Sequence, residues 1–226
     1  MSNLQKAGGW AGMFHGLAYV VAMVILVTLV LPARDAGLEQ YVAFVAGNRA
    51  VVDVLNFVAY WVSAATLVLM VLALYERLKT AAPAAAQVAA AFGLIWAALI
   101  IGSGNLMLRN SGVVAELYAQ DPARAAEAWV ILEAVENGIV SGNEIVGSLW
   151  VLLVSLTAWR TGDLGRVLNV FGVAISLAGL LTVIPTLVNP MVMVFGPGMI
   201  VWSAWVGLAL LRRQPAVVRS MSPAMA

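Results

Sequence analysis

Three glutamates, Glu133, Glu136 and Glu144, stand in the stretch from Asp121 to Arg160 together with Asn137, Ser141, Ser148 and Ser155. At about 100° per residue all seven fall within roughly two fifths of a helix circumference, while Trp150, Leu152 and Leu153 point elsewhere. Carboxylates in such a row could serve as an acid and base pair, or hold a hard cation such as calcium or magnesium. An ionisable group inside a bilayer costs roughly 2.5–3.5 kcal/mol on insertion scales, so it must face protein or water rather than lipid.

Other chemistries lack their residues. The chain has no cysteine, hence no thiolate nucleophile and no cysteine metal site, and its one histidine, His15, rules out bis-histidine haem ligation within one chain. Neither a GxSxG nor an HExxH pattern occurs. Three glutamates on a helix face are commonly a solvated stripe, so we expect no metal and no cofactor. The candidate ligand-binding set is Glu144, Asn143, Glu136 and Asn137, joined by Ser103 and Asn105 near the end of a third apolar run and by Asp53 and Asn56 at the start of a second.

The elements that position these groups are membrane helices. The 226 residues are 63% hydrophobic and 10% charged, with mean hydropathy +0.97, against about 25% charged in a soluble domain. A formal net charge of +1 gives no basic excess, which excludes nucleic acid as a partner. Apolar runs near residues 10–31, 52–75, 85–108, 139–159, 167–184 and 190–211 each approach the roughly 20 residues that cross the hydrocarbon. The sequence therefore predicts an all-α polytopic bundle of six transmembrane helices in one domain, residues 1–213, with a disordered cytoplasmic tail at 214–226.

Asp121 and Pro122 suit an N-cap and first helical position, so span four should begin well before the membrane and extend on the outer side. Glu133 and Glu136 then lie outside the hydrocarbon, in water or against the segment 32–50, whose LEQYVAFV suits a short interfacial helix. Glu144 sits roughly 8 Å below the outer boundary and should face inward, within a pocket formed by spans two, three and four. Gly102 and Gly104 should pack closely against span four. Gly8, Gly12 and Gly16 open a groove on span one for another helix, and His15 should hydrogen-bond to a neighbouring helix. In span six, Pro197 within FGPG interrupts the hydrogen-bond ladder.

The segments LALYERLKTAAPAAA, GSLWVLLVSLTAWRTGDLGRVLNVFGVAISLAGLLTVIP and VFGPGMIVWSAWVGLALLRR, about half the chain, resemble an uncharacterised bacterial family of multi-pass membrane proteins, a domain-of-unknown-function family of about six to seven spans. Leu164 and Gly165 stand where that family carries a proline. The resemblance implies a bacterial membrane protein and assigns no activity or site residues.

Together these readings favour a protein that binds or senses a small ligand, or a membrane-protein partner, in a polar outer-leaflet pocket. One alternative is a transporter of a small solute, ion or proton. Another is a carboxylate-dependent membrane enzyme. A transporter needs the polar seam to reach the other face, where the sequence offers only Ser148, Ser155, Asn169 and His15.

Eight Lys and Arg residues (Lys6, Arg77, Lys79, Arg160, Arg166, Arg212, Arg213 and Arg219) fall on the side holding both termini. Four (Arg34, Arg49, Arg109 and Arg124) fall on the other. That asymmetry predicts cytoplasmic termini in a bacterial plasma membrane. Single cysteines at Ser2 and Ala226 should resist an impermeant maleimide in intact cells, whereas cysteines at Gly37 and Gln120 should label. Labelling at either terminus would reverse the orientation.

Overall fold

The computed structural model describes residues 2–140 and 143–212, and contains no strand among them. Five helical stretches are long and apolar enough to cross a membrane, and the chain is an all-α membrane helix bundle. Ser141 and the tail expected to be disordered lie outside the described residues.

Ser2 opens α1 (Asn3–Asp35) by accepting a hydrogen bond from the Gln5 amide at 3.1 Å. Gly37, at φ 121°, breaks the chain before α2 (Leu38–Gly47), a backbone value that favours glycine. The long helices α3 (Arg49–Leu78) and α4 (Pro83–Tyr118) follow, the second with Pro83 in its first turn. Asp121 Oδ1 accepts from the Ala123 and Arg124 amides to start α5 (Pro122–Val140), and α6 (Asn143–Thr161) comes next. Then come α7 (Arg166–Leu181), a short 3₁₀ turn (Pro185–Leu187) and α8 (Val188–Leu211), with Pro197 inside the last. At 16 residues, α7 rises only about 24 Å, less than the roughly 30 Å of a hydrocarbon core. It is still the fifth of the six helices of the bundle in chain order.

The helices form a ring in chain order: α1 packs on α3, α3 on α4, α4 on α6, α6 on α7, α7 on α8, and α8 closes back on α1. Closure rests on small residues. A Cβ on Gly12 would stand 2.7 Å from the Ser203 carbonyl oxygen and 2.9 Å from the Gly207 Cα, so only glycine lets these backbones touch. Leu67, Met70, Leu74, Trp150, Trp202 and Leu210 fill the ring interior on the side of the termini. On that side the Arg77 guanidinium donates to Asp163 at 2.8 Å and to the Ala209 carbonyl at 2.9 Å, tying α3 to the α6–α7 turn and to α8.

On the opposite side the helices rise into a cap. Helix α4 runs 36 residues without a break, past the point where its apolar run ends, because Val114 continues its periodicity into a second core with Tyr41, Val42, Val45, Ala125, Ala126 and Trp129. Helices α2 and α5 pack on the outer part of α4, so α5 does not project alone into solvent. Gly104 faces Tyr60 of α3, not span four, and Gly102 faces open space. Helix α8 begins at Val188 and carries Pro190 in its first turn, where the missing N–H removes no intrahelical bond.

Two helices widen at the same level. Leu26–Val30 in α1 and Phe57–Val62 in α3 are π-helical, each a looser turn with i→i+5 bonding. In α1 the widening lies just before Pro32, whose ring crowds the carbonyl four residues back. In α3 the Ser63 hydroxyl donates to the Val58 carbonyl at 3.3 Å, drawing an acceptor out of the regular ladder.

Gly12→Ala should destabilise the detergent-solubilised protein by roughly 1–3 kcal/mol, since two backbones must separate. Gly102→Ala, with nothing within 4 Å of the added Cβ, should be neutral or stabilising by up to about 1 kcal/mol. Thermal unfolding of the pair checks the ring closure, and equal effects would refute it.

Candidate functional site

Between the two cores lies a cavity of about 430 Å³. Trp96, Ile100, Phe195 and Met199 line it from the ring core, and Val30, Tyr41, Val52 and Trp129 from the cap. Both π-helical turns reach it, through Leu26 and Val30 and through Ala59 and Tyr60. Its size falls in the roughly 300–1,000 Å³ range of small-molecule sites.

The polar groups on its wall come mainly from α5, the start of α6, and α3. Glu133 pairs with Arg34 of α1, with side chains 25% and 51% exposed. Arg34 also lies over the Tyr41 ring, 5.6 Å from its centroid, and Tyr41 meets Trp129 edge-on at 5.1 Å. Burial raises the Tyr41 phenol above its ordinary pKa, and the Arg34 guanidinium opposes that rise. Glu136 is buried, with the Tyr60 hydroxyl donating to it at a long 3.5 Å. Glu144 is half-buried in the first turn of α6, beside the buried Asn143.

Three buried polar atoms of lining residues have no hydrogen-bond partner among the described residues: Asn56 Nδ2, Trp129 Nε1 and Asn143 Oδ1. Each such group costs about 1–3 kcal/mol of desolvation when it stays unpaired.

Of the eight candidates, Glu144, Asn143, Glu136, Asn137 and Asn56 line the cavity. The other three do not. Asp53 turns to α4, where it accepts from the Ser111 hydroxyl at 2.7 Å, and is ion-paired with Arg49 at 3.4 Å. Ser103 is fully buried in the packing of α4, with an unpartnered hydroxyl. Ile100 and Met107, seven residues apart, line the cavity, whereas Asn105 is about 140° round the helix from Ile100 and is exposed.

The site also draws on residues the sequence did not single out: Tyr19, Arg34, Tyr41, Tyr60 and Trp129. Tyr60 was within reach of pattern reasoning, four residues after Asn56. The others arrive through ring closure and the fold of the cap. The pocket therefore spans α1, α2, α3, α4, α5, α6 and α8, more than the three spans expected.

The polar seam below the cavity is packed. Ser148 and Ser155 are buried where α6 meets Gly179 and Gly172 of α7. Asn169 donates to the Asp163 carbonyl at 2.8 Å. His15 is fully buried with Nδ1 at 3.0 Å from both the Ser63 carbonyl and the Thr66 hydroxyl, as expected of a histidine bonded to a neighbouring helix.

The fold and this site define a polytopic α-helical membrane protein with a cap-side cavity. No protein-family model, curated protein or solved structure matches the chain.

The Arg34–Glu133 pair is solvent-screened and should show a coupling of roughly 0.2–1 kcal/mol in a double-mutant cycle with Arg34→Ala and Glu133→Ala, decreasing as salt is added. A coupling several times larger in thermal unfolding would mean that the pair closes a dry cap.

Proposed function

We propose that this protein binds a small ligand in the cap-side cavity and acts as a binding or sensing component of a bacterial plasma membrane, with both termini in the cytoplasm and the cavity toward the outside. The observation that carries the reading is the convergence of Glu136, Asn137, Asn143, Glu144 and Asn56 on one cavity whose remaining wall is apolar and aromatic. Pockets with a few polar groups on an apolar wall fix and orient organic ligands. The reading keeps the chain with the bacterial multi-pass membrane proteins that about half of it resembles.

Two features favour binding over permeation. Trp96 lies 5.8 Å from Trp150, and Trp150 lies 5.3 Å from Trp202, so bulky rings occupy the axis between the cavity and the side of the termini. The serines of the seam are consumed in packing between α6 and α7. For catalysis, an acid or base needs a partner within hydrogen-bond reach of a reacting atom, and the Glu136 carboxylate meets the Tyr60 hydroxyl only at 3.5 Å.

Native mass spectrometry of detergent-extracted protein tests the reading. Wild type should carry a bound small molecule or lipid, and Ala59→Trp, which places an indole in the cavity, should release it with little change in thermal stability. A bound mass that survives Ala59→Trp, or an empty wild type, would overturn the proposal.

A further inference from the structure

Charge on the cavity wall is unbalanced. Glu133, Glu136 and Glu144 face a single guanidinium, Arg34, which is already paired with Glu133. Neither Glu136 nor Glu144 has an ion-pair partner among the described residues. A carboxylate in a partly apolar site is costly when ionised unless a cation accompanies it.

Two observations say what kind of cation fits. No group of three acidic or histidine side chains converges to hold a metal ion among the described residues, so these carboxylates do not form a compact oxygen cage. Next to Glu144 in the chain, the buried Asn143, 8% exposed, presents an Oδ1 with no donor among the described residues. Both residues line the cavity, and a carboxylate and an amide oxygen on one cavity wall call for a positively charged group that carries N–H donors. Trp96, Phe195 and Met199 also line the cavity, a surface for a ring or an alkyl body.

We propose, resting on the binding function above, that the ligand is a protonated amphipathic organic amine, with its ammonium at Glu144 and Asn143 and its apolar body against Trp96, Phe195 and Met199. Placing the head there also keeps it clear of Arg34, which would repel it. Glu136 adds negative potential from the cap side and is a weaker contributor, because Glu133, one turn before it on α5, pairs with Arg34 of α1 and so holds a cation near it.

The test uses the full chain in lipid nanodiscs and three probes of similar size: phenethylamine, 2-phenylethanol and 3-phenylpropionate. Binding is read from quenching of tryptophan fluorescence. Phenethylamine should bind wild type about tenfold more tightly than the alcohol, with the carboxylate weakest. Glu144→Gln should bring the amine to about the alcohol's affinity while changing the alcohol by less than about twofold, and Glu116→Gln, an exposed carboxylate away from the cavity, should change neither.

Equal binding of amine and alcohol to wild type overturns the amine assignment, and that comparison needs no variant to fold. An amine preference that survives Glu144→Gln overturns the placement at Glu144. If the probes bind alike and Ala59→Trp abolishes them, the cavity is a small-molecule site of another class: this inference fails and the binding function stands. If no probe binds, the amine assignment fails, and a wild type that also carries no bound mass removes the binding function with it.

Discussion

The contact of two backbones at Gly12 and Gly207 determines whether this bundle has an interior. Six helices packed in chain order could lie as an open row, since hydrocarbon chains solvate leucine as well as another helix does. Closure requires α8 to return to α1, and the glycines on both let them approach until Gly12 would clash with Ser203 and Gly207 if it carried a methyl group. Only after that closure do Trp150 and Trp202 meet at 5.3 Å and become fully buried. The Arg77 hydrogen bonds to Asp163 and Ala209 fix the same ring at the side of the termini.

The cavity follows from a mismatch of lengths. Helices α4 and α5 extend beyond the ring and carry their own core with α2, so there are two packed regions stacked along one set of helices. Where the first ends at Trp96 and Phe195 and the second begins at Trp129 and Tyr41, large rings meet across a gap that no described side chain fills. The π-helical turns of α1 and α3 sit at this junction, each placing one extra residue per turn and shifting the register of the helix above it. A regular α-helix through both levels would carry Tyr60 and Val30 round to different faces.

Much of this was legible in the chain. Hydropathy gave the apolar runs, and the Asp121–Pro122 start of α5 is readable because caps are local chemistry. Asn56, Asn143 and Glu144 were legible because polar residues on membrane helices must face inward, and Glu136 and Asn137 because they share a helix face with Glu144. Asp53, Ser103 and Asn105 show where that rule stops: it selects polar residues at a given depth but not the face each presents, and Asp53 is satisfied by Ser111 and Arg49 instead. The continuation of α4 through Tyr118 was hidden because its polar residues Arg109, Asn110 and Ser111 read as an exit from the membrane, whereas Val114 packs into the cap core. Arg34 and Tyr41 reach the site through tertiary folding of the cap, which has no local signature.

Energetics explain why a wall so polar can persist inside so apolar a bundle. Three lining atoms without partners, at about 1–3 kcal/mol each, cost an amount comparable to the whole stability of many domains, so the surrounding packing must over-determine their positions. The rings around them do this: Trp129 is held edge-on by Tyr41, and Asn56 is set by the α3 helix that also carries the buried Ser63 and Leu67. A ligand that supplies an acceptor to Asn56 or Trp129 and a donor to Asn143 recovers part of that cost without moving the scaffold. The same unpaired groups discriminate, because an occupant with the wrong polarity leaves them unpaired and adds its own desolvation to theirs. Selectivity for such a ligand would therefore depend less on the shape of the cavity, which is broad and apolar, than on the few polar atoms that the two packed cores hold in place around it.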